Sequence, residues 1–391
     1  MDMPLNRDRS REIMSGKGVD AVIASSPENV YYASGYWSVA HRSSSRVWIY
    51  AVIPLDGEPF VIAPAWEADL ALSGGVENIY LYGPEEVELT GEAGIAGFDL
   101  LERLLIKARI GDEALSALTW ALESEGLSKG VIAVDPSKVE PGLLERVQRA
   151  IPGLELRDGR GLIEEIRLVK TREEVERILR ATEVAEKSME DALEIARPEI
   201  MERDMASIFE YSAAGDDCEI SRRMIGFGER SSLPNPTPSQ RGARRGDIIR
   251  MSLGCAWMHY NSNISRTAIL GRPSTEVRRG WEAVASAQDA ILDEVKAGAK
   301  LSQLYSAGER RLKEAGIRVI PSTFGHGIGL ELEEDPRIGR ADGELLEGMI
   351  LNIDVRYLKL GRYGLEIEDT FLVTDKGFER LTRTGGELYI L

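Results

Sequence analysis

Ser322-Thr323-Phe324-Gly325-His326-Gly327-Ile328-Gly329 carries one of only three histidines in a chain of 391 residues. Glycine stands on both sides of that histidine. A glycine adds no side chain and tolerates positive φ, so backbone, ligand or metal can approach His326 closely. A glycine-rich turn that merely contains a histidine reads the same way, and so short a motif decides nothing alone. The rest of the C-terminal half supplies the context.

Strand side chains alternate, so residues i and i+2 share a face. Along Gly364-Leu365-Glu366-Ile367-Glu368-Asp369, Glu366 and Glu368 share one face and Leu365 and Ile367 the other. Asn352, Asp354 and Arg356 share a face in the same way, as do Asn261, Asn263 and Ser265. Ser252 lies between Met251 and Leu253 on a fourth strand. Taken singly, each face is the wet side of an antiparallel sheet. Taken together, they gather polar side chains in the region of the glycine-flanked histidine.

The composition is 43% hydrophobic and 29% charged, as in a globular protein with material for a sizeable core. A formal net charge of −17 offers no basic patch for phosphates, so no nucleic-acid partner is expected. Cys218 and Cys255 are the two cysteines, and in a chain this long they read as reduced thiols of a cytoplasmic protein. The N-terminus has no apolar signal core, and no apolar run is long enough for a membrane helix. Short apolar runs at Val19 to Ala24, Val47 to Ile53, Phe60 to Ala63, Ile79 to Leu81, Ile95 to Phe98 and Val131 to Val134 are interspersed with helical patterns. They predict an α/β N-terminal domain over 1–156. Thr171, with Glu174 three residues on, has the form of a capping box opening a long helix. From Asp247 onward, strands predominate, including one from Met258 to Ile269, with two helices between them. That predicts an α+β C-terminal domain within 157–391.

Several motifs occur in order: Gly246-Asp247 to Gly254, Ser262-Asn263-Ile264-Ser265-Arg266-Thr267, Gly325-His326-Gly327-Ile328-Gly329-Leu330-Glu331, Leu346-Glu347-Gly348-Met349 and Ile367-Glu368-Asp369-Thr370. This order resembles the creatinase/prolidase/methionine-aminopeptidase (peptidase M24) family, whose C-terminal domain is the pita-bread fold. The resemblance extends to Asn29-Val30-Tyr31-Tyr32-Ala33-Ser34-Gly35-Tyr36 and to the linker Ile166-Arg167-Leu168-Val169-Lys170-Thr171. It implies a two-domain homodimer acting on a small-molecule substrate. Peptidases of the family hold two divalent metals with two aspartates, one histidine and two glutamates. The matching positions here are Ser252, Asn263, His326, Asp354 and Glu368. Serine and asparagine are neutral, weak ligands. No metal is therefore expected; a single Mn, Co or Zn ion would take His326, Asp354, Glu368 and Asn263.

Other departures are similar in kind. The family's histidine in the loop before the Gly-Asp strand has no counterpart in Ser232-Leu233-Pro234-Asn235-Pro236-Thr237. Glu333 stands at a histidine position, and Glu366 where the family has arginine. The expectation is a pocket with up to four carboxylates around His326. In it His326, Glu368, Asp354 and Glu366 would be catalytic, and Ser252, Asn263 and Glu333 would contact substrate. His41, Arg42 and Arg46 are further candidate contacts, since in two-domain relatives this loop can reach a partner's site; it also reads as a plain solvated loop. His259 reads as a packed strand histidine, and Cys255 as no nucleophile. The leading expectation is a creatinase-like hydrolase of a C–N bond in a nitrogen-rich or cationic substrate. The alternatives are an Xaa-Pro metallopeptidase with an altered metal site and a catalytically silent binding protein.

Overall fold

Buried β-branched and aromatic runs place the strands of the first half. They are β1 (Ala21–Ala24), β2 (Tyr50–Pro54), β3 (Phe60–Pro64), β4 (Asn78–Tyr82), β5 (Ile110–Gly111), β6 (Gly130–Val134) and β7 (Leu154–Asp158). They form one sheet in the order β5-β4-β3-β2-β1-β6-β7. The β1–β2 and β2–β3 pairs are antiparallel and the outer pairs parallel. Ile23, Val52, Phe60 and Ile62 bury against Leu118, Ala121 and Leu122 of helix Ala114–Ser124. This computed structural model describes residues 3–84, 87, 97–107, 109–318 and 320–391. Of the run expected from Ile95 to Phe98, residues 95 and 96 lie outside the described residues, and Phe98 opens the helix Phe98–Glu102.

The chain divides into compact units Met1–Arg167 and Leu168–Leu391. The division lies beyond the boundary expected at 156, for a local reason. Helix Leu162–Arg167 buries Leu162, Ile163 and Ile166, and Arg167 donates a 2.7 Å hydrogen bond to the Asn29 side chain in the first unit.

In the second unit, Thr171 caps the helix Arg172–Glu194: its hydroxyl accepts from the Glu174 N–H at 3.2 Å, and the Glu174 carboxylate accepts from the Thr171 N–H at 2.8 Å. The sheet comprises β8 (Glu219–Phe227), β9 (Ile248–Trp257), β10 (Tyr260–Asn261), β11 (Ile264–Ile269), β12 (Gly325–Gly327), β13 (Glu334–Arg337), β14 (Ile350–Lys359), β15 (Tyr363–Val373), β16 (Phe378–Arg380) and β17 (Tyr389–Ile390). Its main path runs β10-β9-β11-β15-β14-β12-β13. The continuous strand expected from Met258 to Ile269 is broken. Met258 and His259 have φ of 47° and 69°, the paired left-handed geometry of a tight hairpin turn, so His259 lies in a turn rather than a strand.

One face of this sheet is apolar. Ile249, Met251 and Leu253 pack with Met189, Met205 and Phe209 of the helices Arg172–Glu194 and Glu202–Gly215. Ile353, Val355, Leu365 and Ile367 pack with Val284, Ile291 and Leu304 of the helices Thr275–Leu292 and Leu301–Glu314. The alternate residues of the same strands are forced onto the other face, and these are the polar ones.

Candidate active site

Strand register turns four separate polar faces into rows across one sheet. Ser252 on β9 pairs with Ser265 on β11, Ser265 with Glu368 on β15, and Glu368 with Asp354 on β14. One step along, Arg250 pairs with Thr267 and Glu366 with Arg356. The hydroxyl of Thr267 donates to the Glu366 carbonyl and accepts from its N–H, both at 2.9 Å, joining that row. His326 enters opposite Asn352.

The two glycines flanking His326 are required by backbone. A Cβ on Gly325, at φ 145°, would lie 2.1 Å from the Asn352 carbonyl oxygen; one on Gly327 would lie 2.2 Å from that of Asp335. Only glycine lets β12 sit between β13 and β14 at that spacing. The His326 Nδ1 lies 2.8 Å from the Gly327 carbonyl. A carbonyl only accepts, so Nδ1 carries a proton and Nε2 is the ring nitrogen left facing the site. That Nε2 is 3.7 Å from Glu368 Oε1.

Glu368 is held as a buried carboxylate by three donors. Oε1 accepts from Asn263 Nδ2 at 2.6 Å and Asn352 Nδ2 at 3.2 Å, and Oε2 accepts from the Ser265 hydroxyl at 2.8 Å. Asp354 is different. Its Oδ1 is buried with no hydrogen-bond partner among the described residues. Burial first, then the nearby Glu366 and Glu368 carboxylates, push its carboxyl well above the usual range, while Arg356 and Arg222 pull the other way.

Glu366 faces the site, but not as a free acid. The guanidinium of Arg250 pairs with it, fully buried, while Arg250 Nε donates to the Ser231 carbonyl at 2.6 Å and another guanidinium nitrogen to that of Leu233. Glu366 is thus engaged as half of an ion pair and is unsuited to moving protons. The expected four-carboxylate pocket is corrected in a second respect: Glu333 is exposed and bridges Arg337 at 3.3 Å and Arg222 at 3.8 Å. Ser252 and Asn263 do face the site, with Ser252 Oγ and Asn263 Oδ1 buried and unpartnered.

In the first unit, His41 is buried. Its Nδ1 lies 3.0 Å from the Val47 carbonyl and its Nε2 2.8 Å from that of Ser25; the neutral ring donates to only one of the two, but backbone covers both nitrogens and neither is open to substrate. Arg42 is exposed and stacks over Trp37, and Arg46 is exposed. Cys255 is a buried free thiol, pushed up by its contact with Cys218 and by burial.

Sequence reasoning missed Arg250, Asn352, Ser265 and Arg222 as site residues. One signal was present for Arg250. It is a lone charge in the apolar run Ile248 to Leu253, two residues before Ser252, just as Glu366 lies two residues before Glu368.

Residues 7–169 match the creatinase/prolidase N-terminal domain, and residues 176–375 match metallopeptidase family M24. The chain belongs to metallopeptidase family M24. Among its M24 relatives, an Xaa-Pro dipeptidase of Pyrococcus horikoshii is 29% identical over 384 residues, 96% of each chain. An Xaa-Pro dipeptidase of Pyrococcus furiosus is 37% identical over 233 residues, 58% of this chain and 66% of its own. The solved prolidase from Pyrococcus furiosus superimposes with a TM-score of 0.72 at 27% identity, covering 96% of this chain and 99% of its own. Creatinase/prolidase membership and the pita-bread plan are therefore as the motifs implied. Among the described residues, no helix is long and apolar enough to cross a membrane.

Family M24 implies divalent metal, and the donor set tests the fit. Two of the five matching positions, Ser252 and Asn263, are neutral, and Glu368 already receives N–H and O–H donors on both oxygens. No three His, Cys, Asp or Glu side chains among the described residues group as a metal cradle. The side chains as arranged do not fit a two-metal centre.

Proposed function

We propose that this protein hydrolyses the C–N bond of a small peptide, as an Xaa-Pro dipeptidase-type member of family M24, and that it does so as a cytoplasmic homodimer. The observation that carries the reading is the placement of opposite proton tasks in neighbouring rows of the sheet, Asp354 opposite Glu368 and His326 opposite Asn352. Asp354 has an unpartnered buried oxygen and a raised pKa, and His326 turns Nε2 to the site. A carboxyl that keeps its proton and an imidazole nitrogen left open to the site supply an acid and a base.

In this reading His326 Nε2 takes a proton from the attacking water, and Asp354 delivers its proton to the departing nitrogen. Glu368, fixed by Asn263, Asn352 and Ser265, stabilises the imidazolium that forms. The relatives that span nearly the whole chain favour a peptide substrate. The charge of the site supports the same ranking over a cationic substrate. Arg250 neutralises Glu366, and Arg222 and Arg356 flank Asp354, so the pocket lacks the acidic excess that a guanidino compound would need.

The test is a screen of Xaa-Pro dipeptides for proline release, run beside creatine-like guanidino compounds. Dipeptide turnover that is abolished in Asp354→Asn supports the proposal. Turnover of guanidino compounds alone supports the creatinase-like reading instead. No turnover of either, in a folded protein, leaves the binding reading.

A further inference from the structure

The pairing of Arg250 with Glu366 has no counterpart in the motif pattern that implied the family. There, an arginine is expected on β15 two residues before the glutamate. Here that position is Glu366, and the guanidinium comes from β9, two residues before Ser252. The change therefore falls in the row next to one of the two neutral replacements, Ser252. On β9, the strand that would bring a metal-binding aspartate brings serine and a fixed positive charge. On β15, the strand that would bring a glutamate and an arginine brings two glutamates.

We propose that this chain has exchanged metal charge for guanidinium charge, and that its M24 pocket retains no divalent ion. Three arrangements carry the proposal. Arg250 is anchored on both sides, to Glu366 and to the Ser231 and Leu233 carbonyls of the proline-containing loop, and it is buried, so it cannot swing away to admit another cation. Three N–H and O–H donors fill three of the four lone-pair sites of the Glu368 carboxylate, which leaves at most one, on Oε2, for an ion, where a carboxylate bridging two metals needs both oxygens. In the pocket, the buried oxygens left without partners among the described residues are Ser252 Oγ, Asn263 Oδ1 and Asp354 Oδ1. Two of these belong to neutral side chains, and together they balance at most one positive charge. Such a set suits a neutral polar group, a water or the amide of a substrate, better than a divalent ion.

The inference goes beyond the proposed hydrolysis and fails separately from it. The full-length protein is dialysed against Mn2+, Co2+ or Zn2+, freed of excess ion and analysed for bound metal. Its melting temperature is followed with and without a chelator, because an ion that binds only the folded state raises stability. The expected result is no stoichiometric metal and no change on chelation. One or two ions per chain, or a melting temperature that falls on chelation and recovers with Mn2+, overturns the proposal. Ser252→Asp/Asn263→Asp restores two carboxylates and is expected to gain Mn2+ uptake. If that variant does not fold, the wild-type stoichiometry and chelation measurements still decide. Dipeptide turnover by a protein holding two ions sinks this inference alone; a metal-free folded protein that turns over no dipeptide sinks the hydrolysis reading alone.

Discussion

His41 and His326 are two of the three histidines in the chain, and their surroundings are opposite. At His41 both ring nitrogens meet backbone carbonyls, 3.0 Å and 2.8 Å away. At His326 one nitrogen meets a carbonyl, and the other faces Glu368 across 3.7 Å. The first arrangement ties a loop down. The second fixes a ring in one tautomer and leaves a nitrogen for chemistry. In sequence, His41 stands among Ser and Arg and looked like a loop contact, whereas His326 stands between glycines and looked approachable. Exposure of the neighbours is a poor guide; what decides is how many ring nitrogens the backbone has already claimed.

The sharpest way to break this contrast is to remove each ring in turn. His326→Ala is expected to cost turnover at least ~100-fold, the lower range for a positioned acid or base, while shifting stability by only ~1 kcal/mol. Comparable turnover in His326→Ala and wild type would place the chemistry elsewhere.

Next in size is the buried pair beside the site. Arg250→Ala leaves Glu366 buried without its partner and is expected to cost about 3–5 kcal/mol in denaturant unfolding. Arg250→Met/Glu366→Met removes both charges and is expected to recover most of that loss. A double variant no more stable than the single one would show that the pair is not the source.

His41→Ala should give the mirror image of His326→Ala, a loss of about 1–3 kcal/mol in stability with turnover per folded molecule unchanged. Its pH dependence sharpens the point. Burial pushes the folded-state pKa of His41 below 6.5, while the carbonyls of Val47 and Ser25 pull it up. On acidification the unfolded chain therefore takes the proton first. The stability from His41 is present above pH ~6.5 and is lost as pH falls below that value. His41→Ala should flatten this part of the wild-type stability curve; equal slopes would remove His41 as the cause.

The smallest effects belong to Arg42 and Arg46, which are exposed. Alanine at either is expected to change stability by no more than ~0.5 kcal/mol. A large loss of turnover from either would restore the loop as a substrate contact.

Much of the fold was legible because periodicity and local chemistry agree. Thr171 and Glu174 announce a helix start that the structure builds reciprocally. Alternation along Asn352-Ile353-Asp354-Val355 and Leu365-Glu366-Ile367-Glu368 sorts polar from apolar residues correctly, because one sheet face must bury against helices. The division after Arg167 differs from the expected 156 because the helix Leu162–Arg167, with Ile163 and Ile166 buried, belongs to the first unit, a fact of tertiary contact rather than of pattern. The break at Met258 and His259 was missed because nothing but backbone conformation marks it: neither residue is a usual turn former.

The sequence by itself determined the family, the strands that carry the site and the neutral identity of Ser252 and Asn263, since motif order and period-two alternation are local properties. Tertiary structure alone decided the charge state of the pocket. Arg250 and Glu366 are 116 residues apart in the chain, and only the β9-β11-β15 register brings them together. Whether a carboxylate is free, hydrogen-bonded or neutralised depends on what lies across the sheet. His326, between glycines that only backbone packing requires, faces a carboxylate fixed by three donors, in a sheet that also carries a carboxyl with an open oxygen and, two rows away, a buried arginine.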